Sequence, residues 1–169
     1  MLFEKFGEFD SVEELNRAAA AQKAEGDIEA LKALALENGL EEEDAEDYMN
    51  GCTPELATDL QAAVGKLRAE SRDLMLSGVL ADWVNELIDM CTSDEAFRLA
   101  VRKKGKDLAG YIALTAETGY QARCVVDKKI VSRTKKLKEI IGSYEFSIGI
   151  PDKRTRRKLA MDYYMGGEK

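Results

Sequence analysis

The sequence predicts an all-α fold, a compact bundle of seven to nine helices, and three observations predict it. Ala, Leu, Glu and Lys dominate, and Pro54 and Pro151 are the only prolines in 169 residues. Apolar residues recur at helical spacing between recognisable caps. No pair of segments shows the strict alternation of a half-buried strand. A chain of this length buries roughly 70% of its unfolded surface, enough for a core without staples.

The elements follow in order. Ser11 with Glu14 forms a capping box, and Val12, Leu15 and Ala19 mark a helix to about Ala24. Asp27 caps a second through Ile28, Leu31, Leu34 and Ala35, ended by Asn38-Gly39. A short acidic helix spans Glu41 to Tyr48 before Asn50-Gly51. Thr53-Pro54-Glu55 supplies a cap, a first-turn proline and an acid, so a helix starts there and runs toward Leu76, where Gly78 breaks it. Val79 to about Met90 carries Leu80, Trp83, Val84, Leu87 and Ile88 on one side. Ser93 caps the next, with Phe97, Ala100 and Val101, until Gly105. Asp107 to about Thr118 follows. Tyr120 to Ile141 reads as one long helix with a stripe of Val126, Ile130, Leu137 and Ile141. Gly142 to Gly149 is a loop with room for a short extended segment at Tyr144-Glu145-Phe146. Ile150-Pro151-Asp152 opens a last helix to about Tyr164, ended by Gly166-Gly167. Residues 1–51 form a small acidic N-terminal subdomain, and 52–169 the main domain with basic C-terminal helices. Trp83, Phe97, Tyr111, Tyr120, Tyr163 and Tyr164 lie on apolar stripes and read as core.

Charge is divided by position. Residues 1–95 hold 24 Asp/Glu and 7 Lys/Arg, a net of −17, whereas residues 96–169 hold 8 and 18, a net of +10. Such asymmetry points to macromolecular partners. Glu41, Glu42, Glu43, Asp44, Glu46 and Asp47 form an anionic cluster. It reads either as a mimic of phosphates for a basic groove or as a solvated helix start that complements the macrodipole. Lys128, Lys129, Lys135 and Lys136, with Arg154, Arg156 and Arg157, form basic clusters. They read either as phosphate contacts or as solvated faces and partners for the acidic half.

The chemistry the sequence excludes is as informative. Histidine is absent, which removes the commonest general base and the usual nucleophile pairs. No phosphate-binding glycine motif or metal-ligand spacing occurs, so no enzyme, metal or cofactor is expected. Cys52, Cys91 and Cys124 lack CxxC spacing and read as reduced thiols of a cytoplasmic protein. Met1–Asp10 carries four charges and no apolar core of a secretory signal, and no stretch approaches the ~18 residues of a membrane span.

Three short segments carry a resemblance: Leu80-Ala81-Asp82-Trp83-Val84, then Thr92-Ser93-Asp94-Glu95-Ala96-Phe97, and the closing Lys158-Leu159-Ala160-Met161-Asp162-Tyr163-Tyr164. Residues 79–169 resemble the PcfK-like proteins of conjugative elements, which end in a helix with paired tyrosines. Here the closing motif has no tryptophan or histidine, and 125–149 departs from the family's pattern. The resemblance implies a mobile-element or phage protein in a bacterial host. It also implies a specific activity, because some PcfK-like proteins are anti-CRISPR inhibitors that bind the type II effector nuclease. The leading expectation is therefore a non-enzymatic inhibitor that blocks nucleic-acid binding or cleavage by such a nuclease with its guide RNA. The alternatives are a nucleic-acid-binding accessory protein of a conjugative element and a homo-oligomeric module, such as a homodimer, pairing acidic half to basic half.

Overall fold

A computed structural model describes residues 2–166; Met1 and Gly167 of the expected terminator lie outside them. Of the described residues 65% are helical. Ten helices and one strand pair occur among the described residues: α1 (Val12–Glu25), α2 (Ile28–Glu37), α3 (Glu42–Met49), α4 (Asp59–Asp73), α5 (Val79–Ser93), α6 (Glu95–Arg102), α7 (Leu108–Gln121), β1 (Cys124–Val125), α8 (Lys128–Val131), α9 (Lys135–Ile141), β2 (Ser147–Ile148) and α10 (Lys153–Met165). No described helix is long and apolar enough to cross a membrane.

Local cap chemistry places most helix starts. Ser11, Asp27, Asp107 and Asp152 each accept a backbone N–H of the first turn. Two expected caps move. Thr53-Pro54 forms a turn in which the Thr53 hydroxyl donates to the Glu55 carbonyl, and α4 starts later, from a reciprocal box of Thr58 and Gln61. Asp94, not Ser93, caps α6; Ser93 ends α5 and its hydroxyl turns back to the Asp89 and Met90 carbonyls.

Two clusters of buried apolar side chains meet along α4. Leu15, Ala19, Leu31, Leu34, Ala45 and Ala62 belong to the first. The second gathers Ala63, Leu67, Leu87, Phe97, Leu108 and Tyr164. Helix α4 passes against the end of α2 where Gly65 meets the Asn38 and Gly39 backbone, an approach a Cβ on either glycine would obstruct. The paired tyrosines of α10 are packing elements. Tyr164 sits edge-on to Phe97 at 5.6 Å between centroids and beside Tyr111, while the Tyr163 hydroxyl accepts the Asp107 N–H.

A buried polar centre ties the N-terminal segment to α4 and the α6–α7 turn. The fully buried Lys66 ammonium donates to the carbonyls of Lys103 (2.6 Å) and Lys106 (3.0 Å) and pairs with Glu8 (2.6 Å). Glu70 lies 3.8 Å from the same ammonium and accepts the Leu108 N–H at 2.8 Å. Nearby, the buried Arg102 donates to the Asn38 side chain.

Burial pushes the Glu70 carboxyl up to about 7, with Lys66 and the Leu108 N–H drawing it partly back. Its ordinary value is 4.5, so the folded protein retains a proton that the unfolded chain releases in between. That contribution to stability is complete below pH 4.5 and is lost as pH rises through about 7. Glu70→Gln keeps an oxygen for Leu108 and cannot ionise. We expect it to flatten the urea midpoint across this window relative to the parent. Profiles of equal slope would contradict the assignment.

Candidate nucleic-acid interface

The expected helix over 120–141 does not form. Helix α7 ends at Gln121, and the chain leaves the bundle as a small appendage over 122–150. In it β1 pairs antiparallel with β2, Cys124 opposite Ile148, and α8 packs on α9. The neck is a backbone crossing in which Gly119 faces Gly149 and Pro151 closes on Gly119. A Cβ on either glycine would collide with the opposite carbonyl, so only glycine allows this approach. Asp127 caps α8 by accepting the Lys129 N–H. The extended segment falls at Ser147–Ile148 rather than at 144–146.

The appendage carries seven Lys/Arg against three Asp/Glu. Lys128, Lys129, Arg133, Lys135, Lys136 and Lys138 are all exposed. Lys135 has a loose i,i+4 pair with Glu139 at 3.9 Å; among the described residues the other five form no ion pair. Tyr120, expected in the core, is 66% exposed at the base of the appendage, with the Arg123 guanidinium 4.1 Å from its ring centroid. Tyr144 is 81% exposed in the turn between α9 and β2.

Helix α10 divides the remaining basic residues. Arg154 and Arg157 are exposed. Arg156 is not available to a ligand. Its guanidinium grips Glu86 of α5 through two nitrogens, at 2.9 and 2.5 Å, donates to the Pro151 carbonyl and lies over Trp83. This clamp holds the Glu86 carboxyl below its ordinary range. Arg98 with Asp59 is a second pair between the two charge halves, so the division of charge is partly consumed inside the molecule.

The acidic cluster has local work to do. Asp44 accepts the Glu41 N–H at the start of α3 and receives Gln61. Lys32 pairs with Glu46 at 2.6 Å and Glu42 at 3.4 Å. Glu43 and Asp47 stay exposed without an ion pair among the described residues. The first turn of α3 is thus largely a charge-complemented helix start.

Sequence reasoning missed Arg123, Arg133 and Tyr144 as members of the basic surface. The readable signal was Tyr144 between two loop glycines, Gly142 and Gly149, with polar neighbours. The thiols occupy separate places: Cys52 and Cys124 are exposed, and burial pushes Cys91 up to about 12, so it stays protonated. Among the described residues no cluster of carboxylates and thiols could hold a metal ion. No family model, curated protein or solved structure matches the chain.

Proposed function

We propose that this chain is a non-enzymatic binding protein whose appendage engages nucleic acid, either free or carried by a protein partner. The observation behind this reading is the set of six exposed cations on 122–150, Arg123 among them, with no ion-pair partner among the described residues. Unpaired surface cations release condensed counterions when they neutralise phosphates, and that release supplies sequence-independent affinity. The resemblance of residues 79–169 to PcfK-like proteins supports a mobile-element setting. Its most specific form is an anti-CRISPR inhibitor that docks on a type II effector nuclease and its guide RNA. A second reading rests on Glu43 and Asp47, the exposed acids of α3 that carry no ion pair among the described residues, as contacts for a basic channel of the same nuclease.

Two assays test the proposal. Fluorescence anisotropy with a labelled single-stranded 20-mer should show binding at ~50 mM salt. The affinity should fall by orders of magnitude at ~200 mM if 6–10 phosphates are contacted, and by less for fewer. A pull-down from cells expressing a type II effector should recover it only when guide RNA is present. Recovery without guide RNA would favour the α3 reading. Failure of both assays would remove the proposed function.

A further inference from the structure

The appendage holds a cleft of about 380 Å³ between helices α8–α9 and the segments 125–127 and 142–146 that adjoin its strand pair. Val126, Val131, Ile141 and Phe146 supply apolar lining, Lys128 and Lys138 are its cations, and Asp127, which caps α8, and Glu145 are its carboxylates. Tyr144 also lines it, yet remains 81% exposed. An apolar wall, two ammonium groups and an exposed aromatic ring are what an unstacked nucleobase with its flanking phosphates requires. A duplex offers phosphates to the lysines but keeps its bases in the stack, where the cleft cannot receive them.

We infer that this cleft is a subsite for one unstacked base of single-stranded nucleic acid, stacked on Tyr144, with Lys128 and Lys138 on the adjoining phosphates. The inference rests on the proposed nucleic-acid reading and adds a preference for single strands.

The test compares three labelled probes at low salt: a single-stranded 12-mer, the same strand carrying abasic sites, and its 12-bp duplex. The single strand should bind about tenfold more tightly than either of the others, as one base stack is worth. Tyr144→Ala should remove that advantage and leave duplex affinity unchanged. The variant has little effect on folding because the side chain is exposed; an unaltered circular dichroism melt would verify this. Lys128→Gln with Lys138→Gln should weaken all three probes and lower the salt slope. Equal affinity for all three probes, or an unchanged single-strand advantage in Tyr144→Ala, would overturn the subsite while leaving phosphate binding intact. Absence of binding to every probe would overturn the nucleic-acid reading itself.

Discussion

Replacing Lys66 with Met is expected to lower the unfolding free energy by about 3–5 kcal/mol, the usual cost of breaking a buried ion pair from one side. The ammonium satisfies two backbone carbonyls and Glu8 and lies beside Glu70. Methionine fills the space but leaves those oxygens without a donor. For a chain of this size the melting temperature should drop by roughly 10 °C. Without Lys66 to draw it down, the Glu70 carboxyl is held protonated more strongly, so adding Glu70→Gln should recover part of the loss only above about pH 7, where that carboxyl would otherwise have to ionise. A loss below about 1 kcal/mol would mean that water replaces the ammonium and that the centre is not dry.

Tyr164→Ala should cost about 3–5 kcal/mol, since it opens a cavity among Phe97, Tyr111 and Tyr163. Tyr164→Phe separates the ring from the hydroxyl. That hydroxyl is buried without a hydrogen-bond partner among the described residues, and burial raises its pKa well above the ordinary value. Removing an unsatisfied buried donor is neutral or stabilising, so Phe should match or exceed the parent in thermal melts. A large loss in the Phe variant would show that the hydroxyl is partnered in solution.

The sequence revealed what is decided locally. Ser11 and Asp27 were readable as caps, and Asp107 and Asp152 as helix starts, because a cap and the N–H it accepts lie within one turn. Thr53-Pro54 misled for the same reason. Helix α4 instead starts five residues later, at the Thr58–Gln61 box, with Leu56 and Ala57 buried in the first core. The failure over 120–141 was non-local. Its lysines favour helix and its apolar residues keep helical spacing, yet the Gly119–Gly149 crossing and the β1–β2 pairing require the chain to turn away from the bundle.

The candidate site divides along the same line. Lys128, Lys129, Lys135 and Lys136 could be recognised from composition, and they are exposed on the appendage. Arg156 could not be set apart, because its partner Glu86 lies 70 residues away in the sequence. Likewise, Lys66 is buried because a turn around residues 103 and 106 brings two carbonyls to it.

The most direct measurement is the salt slope of single-strand binding for the parent and for a variant with Lys128, Lys129, Arg133, Lys136 and Lys138 changed to Gln. All five side chains are exposed, so matched melts should confirm an intact fold. If the appendage is the interface, each lost phosphate contact lowers the slope of log K against log salt by about 0.7 on a single strand. The variant should therefore bind weakly, with a nearly flat dependence. Parent-like affinity and slope in the variant would contradict the account.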